Sequence, residues 1–252
     1  MRVDNLSEFA ADALYGLAPF TGDFFPNSMA VDDAGNIYLA GGGSAISGIS
    51  LAKYDADWNL DWVTNSSGGG VRALAVDPGG DCYLAGVFEG SVSFGDTTLT
   101  GPDFADFFVA KFDPNGNCLW GQSLPGGYFN AGEAVAVDSS TNVLVGGTLN
   151  NVAFIAKYDQ YGNTLWVQQA VQQAQGNLYS SSCYGIASDQ SGNVYVAGNF
   201  NFSMILGTID LASPSAEDAF VAKFDVDGNP LWAIQGQASS SAEVAAYAAE
   251  GF

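Results

Sequence analysis

The chain has 252 residues, with 27 acids against six bases and no histidine, for a formal charge of −21. A field of that sign repels phosphate backbones and anionic lipid surfaces, which excludes nucleic acid and membrane surfaces as expected partners. With 48% apolar residues and 32 glycines the chain reads as folded and turn-rich, and without histidine it holds no Ser-His or Cys-His pair and no histidine metal site.

The start, MRVDNLSEFAADALYG, has no basic segment followed by an apolar stretch. We therefore expect either a cytoplasmic chain or one lacking its natural start. No apolar run approaches the ~20 residues needed to span a bilayer, so no membrane insertion is expected. Ala13-Leu14-Tyr15-Gly16 stands ahead of Asp32 much as Cys118-Leu119-Trp120-Gly121 stands ahead of Asp138. Residues 1–27 thus read as the end of an eroded repeat unit.

Four clear units follow, at 28–70, 71–129, 130–181 and 182–236. Each contains AVDDAGNIYLAG or a variant of it, whose leading Asp32, Asp77, Asp138 and Asp189 are spaced 45, 61 and 51 residues apart. Each then contains FVAKFDPNGNCLW or a variant, which carries Lys53, Lys111, Lys157 and Lys223, the only lysines of the chain. Spacing and composition predict an all-β fold, a β-propeller of four-stranded antiparallel blades. Strand A ends just before the leading Asp, and strand B is the alternating IYLAG, CYLAG or VYVAG segment. The F-V-A-K-F-D run is strand C, and the short N-x-L-W stretch is strand D.

The A–B and C–D connections both run four residues from Asp to Asn, with Asp81 in the Asn place of the second unit. Asp accepts N–H bonds inside its own turn, and Gly and Asn tolerate positive φ, so these are tight hairpins. From the glycine ending strand B to the lysine of strand C the distance is 12, 25, 10 and 25 residues. In an up-and-down blade the tight turns share one face and the variable B–C and D–A connections share the other. The long loops 87–106 and 199–218 are therefore where ligand or partner contacts are expected. Beyond the fourth unit, residues 237–252 contain Ala242-Glu243-Val244-Ala245-Ala246, similar to the strand A segment Gly132–Ala136. Three readings stay open: a closing strand that makes a composite fifth blade with residues 1–27, truncation from a longer array, or a short helix capped by Ser240 and Glu243.

A lysine at the same point of every unit is expected to pair with a turn Asp of the same or the next blade, because four unpaired buried ammonium groups would be too costly. One tryptophan per unit, Trp62, Trp120, Trp166 and Trp232, is expected to pack between neighbouring sheets. Trp58 is off-register, at a turn glycine position, and is the expected exposed aromatic. Candidate binding residues on the variable face are Glu89, Asp103, Asp106, Glu217 and Asp218. Asp225, Asp227 and Asn229 copy the opening of a calcium loop, but Pro230 and Gly236 stand where its Gly and Glu belong. No metal site is expected from them beyond that weak calcium candidate, and no other cofactor. Cys82, Cys118 and Cys183 cannot all pair and have no metal-ligand spacing, so they are expected as small apolar residues in strands.

The two phrases, and the SFGDTTLTG insert at 93–101 that returns near 206–211, resemble the bacterial beta-propeller repeats called SBBP. More weakly, the first is similar to NHL repeats and the second to quinoprotein repeats. The SBBP resemblance implies a propeller, usually in exported or surface bacterial proteins. The expected function is a non-catalytic binding or structural module with a protein or carbohydrate partner, as part of a longer chain or an oligomer. The alternative is a carbohydrate-active enzyme or lectin-like propeller using paired acids.

Overall fold

The computed structural model describes residues 25–42, 48–102, 104–127, 129–172, 180–213 and 217–236. The expectations for Asp103, residues 1–24 and residues 237–252 lie outside them. The described residues are strands and turns without a helix. The first sheet holds β1 (Phe25–Val31), β2 (Ile37–Gly42), β3 (Ile49–Tyr54) and β4 (Leu60–Asn65). The second stretch runs β5 (Gly70–Val76), β6 (Cys82–Phe88), β7 (Ser91–Phe94), β8 (Thr97–Thr100), β9 (Asp106–Phe112) and β10 (Cys118–Gln122). A third sheet holds β11 (Ala131–Val137), β12 (Val143–Leu149), β13 (Val152–Tyr158) and β14 (Thr164–Gln169). The last stretch runs β15 (Ser181–Ser188), β16 (Val194–Phe200), β17 (Ser203–Leu206), β18 (Ile209–Ala212), β19 (Asp218–Phe224) and β20 (Pro230–Gly236). Four antiparallel four-stranded sheets result, with β7–β8 and β17–β18 as separate two-stranded hairpins. The first strands β1, β5, β11 and β15 pack on one another in sequence, so the sheets share an inner edge. Three apolar clusters lie between successive sheets, and a smaller one, Ile37, Leu39, Ala52 and Tyr54, lies on the first sheet alone.

Seven of the eight tight turns share one internal bonding pattern; in the Asp77 turn, where Asp81 has no side-chain amide, Asp77 Oδ2 accepts the Tyr83 hydroxyl at 2.9 Å instead. In the second C–D turn, Asp113 Oδ1 accepts the N–H of Asn115 at 2.9 Å and of Asn117 at 2.8 Å, while Oδ2 accepts Asn117 Nδ2 at 2.9 Å. The fourth turn residue takes positive φ, as at Gly116 (82°) and Gly162 (85°). Two residues without glycine's freedom hold that place, Trp58 (65°) and Thr141 (61°).

Three of the tryptophans reach the next sheet. Trp62 Nε1 donates to the Pro114 carbonyl at 2.9 Å, Trp120 to Gln160 at 3.0 Å and Trp166 to Val226 at 3.0 Å. A methyl carbon added to Gly116, Gly162 or Gly228 would stand 2.8, 2.8 or 2.7 Å from those rings, so the flat indole needs glycine beneath it. Trp58 holds the matching place in the first sheet, at φ 65°. Trp232 of the fourth sheet packs edge-on against Tyr195 and is 39% exposed.

The lysines act within a sheet, not between sheets. Lys157 pairs with Asp138 at 2.9 Å and Lys223 with Asp189 at 3.5 Å. Lys111 pairs with Asp81 at 2.8 Å, the residue standing in the Asn place, and Lys53 with Asp61 of β4 at 3.3 Å. The register explains why. Each lysine faces Trp62, Trp120, Trp166 or Trp232 on one side, and Tyr38, Tyr83, Leu144 or Tyr195 on the other. The flanking side chains shield the ammonium and leave it a nearby carboxylate, at the A–B turn for Lys111, Lys157 and Lys223 and on β4 for Lys53. Trp62, Trp120 and Trp166, not the lysines, bind sheet to sheet.

Candidate functional site at the inner strands

Each strand B carries a glycine at the same place, Gly41, Gly86, Gly147 or Gly198, and the structure gives the reason. A methyl carbon on Gly41, Gly86, Gly147 or Gly198 would stand 2.1, 2.1, 2.0 or 1.9 Å from the carbonyl oxygen of Phe25, Gly70, Ala131 or Ser182. Only glycine lets strand A come that close. At the same level the pairing of strand A slips by one residue, between Pro26 and Ser28, Val71 and Ala73, Gly132 and Ala134, and Cys183 and Gly185. Each slip is a β-bulge, which leaves one extra residue unpaired and re-aims its side chain. Those residues are Asn27, Arg72, Glu133 and Tyr184.

All four sit on the shared inner edge. They lie in the first half of each strand A, the end entered from the D–A connection, so they face the side of the variable loops. The bulge interrupts burial locally: Val71 and Leu74 are buried around exposed Arg72, and Cys183 and Gly185 around Tyr184, which is 47% exposed. Asn27 Nδ2 donates to the Val71 carbonyl at 3.1 Å and ties β1 to β5. Among the described residues no carboxylate lies within ion-pair distance of Arg72. Burial pushes the Glu133 carboxyl above the usual carboxylate range, although the charge of Arg72 on the neighbouring strand pulls the other way. The ring thus offers an open guanidinium, a half-buried carboxyl and an exposed phenol ring on three adjacent strands.

The loop-face candidates behave differently. Asp106 is 3% exposed and Asp218 is 1% exposed, because both open strand C beneath the loops instead of standing on them. Asp106 accepts Asn130 Nδ2 at 2.8 Å, and burial raises its pKa. Glu217 accepts the Asn199 amide, and Glu89 is exposed at the end of β6. Trp58 is half-buried against Tyr54, with ring centroids 6.0 Å apart, and is not the exposed aromatic expected. The long loops are not free either. Phe94 of the β7–β8 hairpin packs 5.2 Å from Phe108 and 5.6 Å from Phe112, and Met204 and Leu206 of β17 are buried in the last core. Bridges Ser67↔Ser93 and Val171↔Ile205 tie each hairpin to the preceding sheet's exit, so the inserts caulk two of the seams.

Both Asp225 oxygens face N–H donors, from Asp227, Asn229 and the Asn229 side chain at 2.8–3.2 Å. A cation there would meet donors where it needs acceptors. Among the described residues no group of three His, Cys, Asp or Glu could hold a metal ion. Cys82 and Cys183 are buried in their strands, and Cys118 is half-buried.

Sequence reasoning passed over the bulge ring, yet a signal exists. Asn27, Arg72, Glu133 and Tyr184 each precede a leading Asp by five residues, inside a stretch that otherwise repeats. A position that changes chemistry in every unit of a repeating strand marks it.

Residues 165–201, from β14 through β16, match the family model SBBP, a beta-propeller repeat. Among solved structures the chain is similar to a protein of unknown function from Bacteroides caccae, at 11% identity and TM-score 0.44, over 86% of this chain and 84% of that one. It is also similar to a protein from Lactobacillus plantarum, at 13% identity and TM-score 0.43, over 84% and 71%. No curated protein matches the chain in sequence.

Proposed function

We propose that this chain, built from beta-propeller repeats, is a non-catalytic binding and structural module of a bacterial exported or surface protein, with its ligand contacts at the inner edge of the B–C/D–A loop face. One observation carries the reading. The frame repeats its turns, its lysine pairs and most of its tryptophan contacts, and at the bulge of strand A it presents Asn27, Arg72, Glu133 and Tyr184 in turn. A rigid scaffold that varies one outward-aimed position is suited to recognition. The exported setting follows from the family resemblance. A two-carboxylate hydrolase is the weaker reading: Glu133 is the one acid of the ring, and Asp106 is held beneath the loops by Asn130.

The test is calorimetric titration with a panel of soluble glycans and peptides, using the wild type and an Arg72→Ala/Glu133→Ala/Tyr184→Ala variant of unchanged melting temperature. Binding of at least one class by the wild type, lost in the variant, supports the reading. No binding across the panel, or binding that ignores the three substitutions, overturns it.

A further inference from the structure

We infer that the bulge ring recognises an acidic sugar, a uronate residue of a polysaccharide, with Arg72 taking the carboxylate and Tyr184 the sugar face. The inference rests on the binding reading above and adds the class of ligand.

The argument begins with the cations. Five lie among the described residues, and four of them, Lys53, Lys111, Lys157 and Lys223, are each paired with an aspartate at 2.8–3.5 Å. Arg72 alone of the five has no such partner, although the chain carries 27 acids. A planar guanidinium left open in an acidic protein has its donor fork available to an incoming anion, and a carboxylate matches that fork in a bidentate pair. Phosphate fits the fork too, but its second charge meets more repulsion from a −21 chain with Glu133 on the next strand.

The neighbours select the rest of the ligand. Glu133 stands on β11, which packs against the Arg72 strand β5, and a carboxyl there accepts sugar hydroxyls. Tyr184 stands on β15 next in line, with nearly half its surface exposed and a flat ring for the C–H face of a pyranose. An anion fork, a hydroxyl acceptor and an aromatic plate on three consecutive strands together suit one sugar acid and its chain neighbour.

The probe is tetragalacturonate, titrated calorimetrically into wild type, Arg72→Gln and Tyr184→Ala, each checked for an unchanged melting temperature. The methyl-esterified tetramer, inorganic phosphate and a short peptide with a free C-terminus serve as comparisons. Tetragalacturonate should bind the wild type, weaken at least ~10-fold with Arg72→Gln and weaken ~2–10-fold with Tyr184→Ala. The ester should bind at least ~10-fold more weakly than the acid. Equal binding of ester and acid, or full binding by Arg72→Gln, overturns the acidic-sugar inference and leaves the binding reading standing if Tyr184→Ala still weakens it. Arg72-dependent binding of phosphate or the peptide without tetragalacturonate overturns the ligand class alone. Folded protein that binds none of these, nor any member of the wider panel, overturns both.

Discussion

The Trp120 indole lies over Gly162 of the following sheet, with its Nε1 donating to the Gln160 carbonyl at 3.0 Å. Gly162 holds φ at 85°, and a methyl carbon there would stand 2.8 Å from the ring. Gly162→Ala therefore meets two costs, ~1–2 kcal/mol for the left-handed backbone and ~1–3 kcal/mol for overpacking. We expect a loss of ~2–5 kcal/mol in urea unfolding. Gly95, whose φ is 60° with open space around it, is the control, and Gly95→Ala should show only the backbone part. Equal losses would mean that the indole contact has no steric tightness.

The bulge predicts a second loss. Gly86→Ala would place its methyl carbon 2.1 Å from the Gly70 carbonyl oxygen, so strand A must move or the bulge must go. The expected loss is ~2–3 kcal/mol or more. Because the bulge aims Arg72, the same change should also weaken any ligand that depends on Arg72, even in protein that remains folded at low temperature. A folded Gly86→Ala variant with unaltered binding would separate the bulge from the site.

The four units, their strands and their turns were legible because turn chemistry leaves fixed letters: Asp113 and Asn117 must stand four apart to close one hydrogen-bonded loop. The repeated Lys157 was legible as an ion pair for want of any cheaper way to bury an ammonium. Its partner's sheet was not, since that depends on the cross-strand register. The burial of Asp106 and Asp218 was also hidden, because a residue opening a strand and one closing a loop look alike in sequence. Gly86 was visible as a repeated letter, but its cause, a carbonyl from another strand, is a three-dimensional fact. The Arg72 position was hidden by the repeat itself, which draws attention to what recurs.

The buried pair Lys157–Asp138 differs from the more exposed Lys223–Asp189. Side-chain exposure in the first is 2% and 3%, at 2.9 Å, while in the second it is 19% and 32%, at 3.5 Å. Lys157→Met strands a buried carboxylate and should cost ~3–5 kcal/mol. Lys223→Met leaves Asp189 in reach of water and should cost much less. Adding Asp138→Asn to Lys157→Met should recover part of the loss, since it removes the stranded charge. Paired chemical denaturation of the four proteins measures this directly, and equal losses at the two sites would show that burial does not set the value of the pair.

Thr141 is a β-branched residue at φ 61°, in a place where six of the eight tight turns carry glycine. The left-handed conformation costs it ~1–2 kcal/mol, against ~0.5–1 kcal/mol for the extra freedom glycine brings to the unfolded chain. Thr141→Gly should thus raise stability by ~0.5–1 kcal/mol. The hydroxyl's bond to the Ser140 carbonyl, 2.7 Å and exposed, is replaceable by water. A lower urea midpoint for Thr141→Gly would assign that hydroxyl a larger role than its exposure implies.

The carboxyls fall into two opposed groups, and pH should separate them. Asp113, Asp138 and Asp189 feel burial that raises their pKa, but N–H donors of Asn117, Asn142 and Asn193 outweigh it, and Asp189 is lowered to about 2. Asp55, Asp159 and Asp225 are lowered chiefly by the side chains of Asn59, Asn163 and Asn229. For these the unfolded chain takes protons first as pH falls. Their stabilisation is full above the unfolded value of ~4 and is lost from there down to about pH 2. Asp106 and Glu133 are raised by burial, so the folded protein keeps their protons to higher pH, and they add stability as pH falls through their folded values. Stability measured by urea unfolding should therefore drop steeply below pH ~4. Asp106→Asn keeps an oxygen to accept Asn130 and removes the buried charge. It should match or exceed wild type at pH 7, with an advantage that shrinks as pH approaches 4. An advantage that grows with acid would place the Asp106 carboxylate among the stabilised group and reverse its assigned sign.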